Sequence, residues 1–173
     1  MGATLNSSGA ARLVLIGPPG AGKSAAGELA ARRLGWSFID TDALIEAQEG
    51  LSIGEIFERH GEPYFRKVET SVISEIEPAD NTVLATGGGA ILTEENRKRL
   101  GGFGLVVYLK PSTEIAWSRV SQGVRPVITE GKAGLEVLMN DRNALYTDAA
   151  DLVIESDEGI ESIADALVGL VTR

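Results

Sequence analysis

The chain has 173 residues, 24% of them charged and 43% hydrophobic, the balance of one ordinary globular domain with a real core. A formal net charge of -9 argues against a nucleic-acid-binding surface, which needs a basic stripe. Cysteine is absent and His60 is the single histidine, which excludes disulfides and thiolate metal sites and argues against His-rich metal sites and Ser-His-Asp chemistry.

Residues 1–11 are small and polar, without the basic start, apolar stretch or cleavage site of a signal peptide. Asn6 stands where N-myristoylation takes Ser or Thr. No apolar run approaches a membrane span. The expectation is a flexible start over 1–11, then a single domain over 12–173 in the cytoplasm, with no membrane and no nucleic-acid partner.

Leu13–Ile16 is a short apolar run that suits a buried strand. Gly17-Pro18-Pro19-Gly20-Ala21-Gly22-Lys23-Ser24 follows, a complete G-x-x-x-x-G-K-[ST] phosphate loop. A helix over 23–34, rich in Ala, Leu, Glu and Arg, comes next. Glycines let successive backbone N–H groups turn towards an anionic phosphate, and the helix aims its positive end at the same place. Lys23 then reaches the β- and γ-phosphates of a nucleoside triphosphate, and the Ser24 hydroxyl sits on Mg²⁺. A glycine-rich turn that binds nothing leaves Lys23 and Ser24 unexplained.

Ser37–Ile39 is the second strand, and Asp40-Thr41-Asp42 stands at its end. Two carboxylates two residues apart can serve two ligands, one holding Mg²⁺ through water and the other accepting from a substrate hydroxyl. Equally, Asp40 or Thr41 can cap the helix predicted over 41–49. Helices over 52–60 and 62–77 complete a long insertion, suited to a second substrate. His60 falls at a helix C-terminus, where it partners the helix dipole. Arg66 has Glu62 at i-4 and Glu69 at i+3, the spacing of a surface ion pair.

Val83–Ala85 is the third strand, and Gly87-Gly88-Gly89 follows Thr86. Three consecutive glycines fit backbone that passes close to a ligand, or else a tight turn with positive φ. Helices over 93–100, 112–121, 134–147 and 159–172 alternate with strands at Leu105–Leu109 and Leu152–Ile154. Strands alternating with helices predict an α/β fold: a five-stranded, mostly parallel sheet with helices on both faces. Glycine and proline cluster in a mobile loop around Gly123-Val124-Arg125-Pro126. Arg142 lacks an acidic residue at i±4, and spacing alone leaves the roles of Arg66, Arg125, Arg142 and Arg119 open.

In this order, the phosphate loop, Asp40-Thr41-Asp42, Gly61-Glu62 with Phe65-Arg66, Gly87-Gly88-Gly89, Val124-Arg125-Pro126, and Arg142 with Leu145-Tyr146 resemble shikimate kinase over about residues 12–172. The resemblance implies a three-layer P-loop kinase fold, with a substrate-binding insertion over about 41–78 and a lid over about 120–134. It implies a monomer that phosphorylates the 3-hydroxyl of shikimate with Mg²⁺ and ATP. ATP then contacts Gly20, Ala21, Gly22, Lys23, Ser24 and Ala25, with Arg119 near adenine and Arg125 closing as the lid arginine. Lys23, Asp42 and Arg125 are the implied catalytic residues, and Ser24 and Asp40 the metal side. Arg66 and Arg142 grip the shikimate carboxylate, Asp42 accepts from the ring hydroxyls, and Gly87, Gly88 and Gly89 complete the pocket. Pro19, Phe57 and Phe65 wall the ring. Ala25 stands where the family usually has threonine, so it offers no hydroxyl to the α-phosphate. Two alternatives share the phosphate loop: another small-molecule kinase, such as gluconate kinase, and a non-catalytic ligand sensor on the same fold.

Overall fold

The first apolar run becomes the central strand of a parallel sheet. The computed structural model describes residues 11–121 and 128–172. Most of the expected flexible start and the centre of the expected lid, Arg125 included, lie outside the described residues. Five strands form the sheet: β1 (Arg12–Ile16), β2 (Ser37–Asp40), β3 (Thr82–Ala85), β4 (Leu105–Lys110) and β5 (Leu152–Glu155). Their order is β2-β3-β1-β4-β5, and all four pairings are parallel.

Period-two alternation divides β1 between two cores. Leu13 and Leu15 join Val83, Val107 and Leu109 on one face, under α1 (Lys23–Leu34) and α8 (Ile160–Val171). Val14 and Ile16 join Leu84, Val106 and Tyr108 on the other face. That face is covered by α4 (Glu62–Glu75), α5 (Glu94–Phe103) and α7 (Gly131–Ala149). β1 and β3 are therefore apolar almost throughout, because both faces are dry. The insertion between β2 and β3 holds α2 (Thr41–Glu49), α3 (Ile53–His60) and α4, with a small core of Ile45, Ile56, Phe65, Val68 and Val72. The remaining helix, α6 (Thr113–Val120), packs on α7 through Ala116, Val120 and Leu135.

Four helix ends differ from the sequence expectation by two residues or more, two of them on α7. α5 runs past Gly101-Gly102 to Phe103, whose 3% exposure shows burial overriding glycine's low helix propensity. α4 stops at Glu75, since Pro78 biases the residue before it away from helix. α7 begins at Gly131 and spans 19 residues, three earlier than its apolar pattern.

Parallel register sets the site. Asp40 pairs with Ala85, and Ala85 with Leu15, so the carboxyl ends of β2, β3 and β1 finish side by side. Two threonines stitch these ends together. Buried Thr41 accepts from the Gly87 N–H at 3.1 Å, and the Thr86 hydroxyl donates to the Leu15 carbonyl at 2.9 Å. Thr41→Val keeps the shape but leaves a buried N–H unpaired, a cost of about 1–3 kcal/mol. Thermal unfolding is expected to drop by roughly 2–4 °C per kcal/mol. An unchanged midpoint would show that the stitch is dispensable.

Candidate active site

The phosphate loop fills the turn from β1 into α1. Gly20 has φ +80°, and a Cβ there would lie 2.4 Å from the Ala116 carbonyl oxygen of α6, so glycine is required on both counts. Lys23 is 8% exposed, and its Nζ donates to the carbonyls of Gly17 (2.7 Å) and Pro18 (2.9 Å). Its charge is thereby held over the loop. The Ser24 hydroxyl donates to Asp40 Oδ2 at 2.5 Å. Asp40 Oδ1 accepts from the N–H groups of Asp42 (2.9 Å) and Ala43 (3.3 Å). One Asp40 oxygen thus caps α2, the capping role its position allowed, and the other faces Ser24. Ala21, expected among the ATP contacts, is fully buried and packs in the core instead of lining the cavity.

The glycine triplet follows β3. The segment turns, with the Ala90 N–H donating to the Gly87 carbonyl at 3.1 Å, but none of the three residues has positive φ, so backbone conformation does not demand glycine there. Each is glycine because something stands where a Cβ would be. At Gly87 the Cβ would lie 2.7 Å from Asp42 Oδ1 and 3.1 Å from Glu69 Oε2. At Gly88 it would lie 2.9 Å from the Pro19 ring, and at Gly89 2.3 Å from both terminal nitrogens of Arg66.

Arg66 is no surface ion pair, contrary to its spacing. Its side chain is 15% exposed and binds Glu69, itself 1% exposed, at 2.8 Å and the outer Glu62 at 3.2 Å. The guanidinium also lies 5.1 Å from the Phe65 ring centroid. Glu69 Oε2 and Arg142 Nη1 are buried atoms without a hydrogen-bond partner among the described residues. Arg142 therefore offers a buried donor, and Arg66 offers a neighbouring charge already oriented by two carboxylates. An incoming carboxylate matches that pair in charge and in planar shape.

One cavity of about 510 Å³ gathers both halves. Pro19, Gly20, Gly22, Lys23, Ser24 and Ala25 line its donor side. Asp42, Arg66, Arg142 and the triplet line its acceptor side, with Phe57 and Phe65 as aromatic wall. The two rings lie 4.7 Å apart. Asp40 lines an adjoining cavity together with Ser24 and Asp42. Arg119 borders the main cavity, and its guanidinium donates to the carbonyls of Gly20 (3.0 Å), Ser156 (2.9 Å) and Glu158 (2.8 Å). It ties the phosphate loop to the turn before α8, a bond its sequence position did not reveal. Arg125 lies outside the described residues.

Fold and site together define a P-loop kinase: a phosphate loop at the end of a central parallel strand, facing a pocket lined by Asp42, Arg66 and Arg142. The shikimate kinase family model matches residues 19–171. A shikimate kinase of Halorhodospira halophila is 43% identical over 161 residues, covering 91% of each chain. One from Pseudomonas entomophila is 44% identical over 149 residues, covering 84% of this chain and 87% of its own. A solved shikimate kinase from Acinetobacter baumannii, in complex with shikimate, superposes with a TM-score of 0.88 at 37% identity. That match covers 94% of this chain and 93% of the other. The chain belongs to the shikimate kinase family.

Glu69, Thr41 and Thr86 were not among the expected site residues. A signal for Glu69 was present: Phe65, Glu69, Val72 and Ile73 share the i, i+4, i+7, i+8 stripe that α4 turns inward. Burial holds the Glu69 carboxyl above its ordinary value of 4.5, against the opposing charge of Arg66. From pH 4.5 up to that raised value, the folded chain keeps a proton that the unfolded chain has released. Glu69 therefore lowers stability as pH rises through this window. Glu69→Gln removes the effect while keeping an acceptor for Arg66. Its melting temperature, relative to wild type, is expected to climb as pH rises from 4.5 through the raised value. A pH-independent difference would contradict a raised Glu69.

Proposed function

We propose that this chain transfers the γ-phosphoryl group of ATP to the 3-hydroxyl of shikimate. The observation that carries the proposal is the placement of Arg66 and Arg142 in the same cavity as Asp42 and the phosphate loop. Two guanidinium groups suit one ring carboxylate, and Asp42 suits the ring hydroxyls. Gluconate is also a hydroxy acid, but the family membership and the Phe57–Phe65 wall favour a cyclic acceptor over an open chain. A non-catalytic sensor has no need for Lys23 and Asp42 together at the transfer point.

The reacting hydroxyl oxygen forms a bond to the γ-phosphorus as the bond to the β,γ-bridging oxygen breaks, and ADP leaves. The transition state is loose, so positioning and charge neutralisation dominate. Lys23 supplies charge beside the moving phosphoryl group, and the loop N–H groups of Gly20, Gly22, Lys23, Ser24 and Ala25 hold the phosphates. Asp42 orients the hydroxyl and takes its proton late. Arg125 is assigned to the lid, closing on the phosphates and keeping water from competing as acceptor. Arg119 is assigned to the adenine side, where its bonds to Ser156 and Glu158 fix its plane. The Ser24 hydroxyl and the Asp40 carboxylate are hard oxygen donors, a donor set that fits Mg²⁺. When bound, Mg²⁺ adds positive charge to the phosphate oxygens. No described helix is long and apolar enough to cross a membrane. A monomeric state and a cytoplasmic location belong to the same proposal, on the family resemblance.

A coupled ADP-release assay with shikimate, quinate and gluconate side by side tests the substrate. Shikimate should be turned over, and gluconate should not. Turnover of gluconate with none of shikimate would refute the reading. In the same assay Asp42→Asn should lose about 100-fold or more in kcat. Nucleotide affinity should stay within about two-fold, and normal turnover would remove Asp42 from its role.

A further inference from the structure

Tyr146 lies on α7 one turn after Arg142 and is 1% exposed. Its ring belongs to the core cluster beneath the sheet and stacks on Tyr108 of β4, with centroids 5.0 Å apart. Such a ring needs no hydroxyl to be buried there. The hydroxyl is nonetheless aimed at the acceptor pocket, where it donates to the Gly88 carbonyl. The positive charge of Arg142 lies close enough to act on the same hydroxyl. Burial pushes the phenol up to about 12, so it keeps the proton it donates. The neighbouring Tyr108 hydroxyl donates instead to Asn143, at 3.2 Å, and anchors α7 to β4.

We propose that the Tyr146 hydroxyl is a positioning group for the acceptor, holding the Gly88 peptide and backing the Arg142 guanidinium as one unit. A trans peptide points its carbonyl and its N–H in opposite directions, so fixing the Gly88 carbonyl also fixes the Gly89 N–H. Gly88 and Gly89 both line the cavity, and Gly88 packs on Pro19 while Gly89 packs on Arg66. One phenol thus sets the pocket's backbone wall and one arm of its arginine pair. The proposal deepens the assignment of shikimate as acceptor and rests on it.

Steady-state kinetics on wild type, Tyr146→Phe and Tyr108→Phe test it. Tyr146→Phe keeps the stacked ring, so its KM for shikimate should rise about ten-fold. Its kcat and its KM for ATP should stay within about two-fold, a split that general loosening of the core does not give. Tyr108→Phe loses a hydroxyl from the same stack without touching Gly88 and should leave the shikimate KM unchanged. Adding Tyr146→Phe to Arg142→Ala should cost less than the product of the two single effects, because the residues act as a unit. If the Phe variant fails to fold, Tyr146→Met, whose flexible side chain repacks, must show the same selective rise. An unchanged shikimate KM in Tyr146→Phe, or an equal rise in Tyr108→Phe, overturns the proposal while leaving the reaction in place. Wild type inert towards shikimate removes both.

Discussion

The acceptor pocket depends on clearance at three consecutive residues. Gly87, Gly88 and Gly89 let one short stretch of backbone touch Asp42, Pro19 and Arg66 at distances that any Cβ would violate. Pro19 belongs to the phosphate loop, and Asp42 and Arg66 belong to the helical insertion. Donor loop and acceptor pocket therefore share a wall, and the distance between them is fixed by packing. This is the preorganisation that phosphoryl transfer requires, since little covalent chemistry is left to the protein.

The wall is itself fixed by the sheet. Parallel register brings the ends of β2, β3 and β1 level, and Thr41 and Thr86 lock them by hydrogen bonds. On that frame an acidic chain of net charge -9 concentrates its useful cations. Lys23 is held by two carbonyls, Arg66 by two glutamates, and Arg142 beside Tyr146. Each charge is partly buried, where electrostatic interactions are stronger than in water and reorganisation is small. Glu69 balances the charges of Arg66 and Arg142 while its own carboxyl is desolvated by burial.

Much of this was legible in the residues. The phosphate loop carries its own geometry, and the alternation of apolar runs with helical stretches gave the parallel sheet. Asp40, Asp42, Arg66 and Arg142 stand out through the ordered resemblance to shikimate kinase, since spacing alone leaves the roles of the two arginines open. The i, i+3 spacing reads Glu69 as half of a surface pair, because spacing says which residues meet and not how deeply they are buried; only its place on the inward stripe of α4 points to burial. The triplet's true constraint was hidden for a related reason. Its glycines answer side chains some 20 to 70 residues distant, and no local pattern reveals a clash avoided across the fold. Tyr146 reads as a core aromatic, which it is; its polar end matters through a carbonyl brought to it by tertiary packing.

The central claim is that two arginines on separate helices hold one acceptor carboxylate. Calorimetric binding of shikimate and of its methyl ester, to wild type and to Arg142→Ala, addresses it directly. Wild type should prefer the free acid by about 100-fold, in line with a buried charge pair, and Arg142→Ala should lose most of that preference. An undiminished preference in Arg142→Ala would mean that the carboxylate is bound elsewhere, and the account of the pocket would fail.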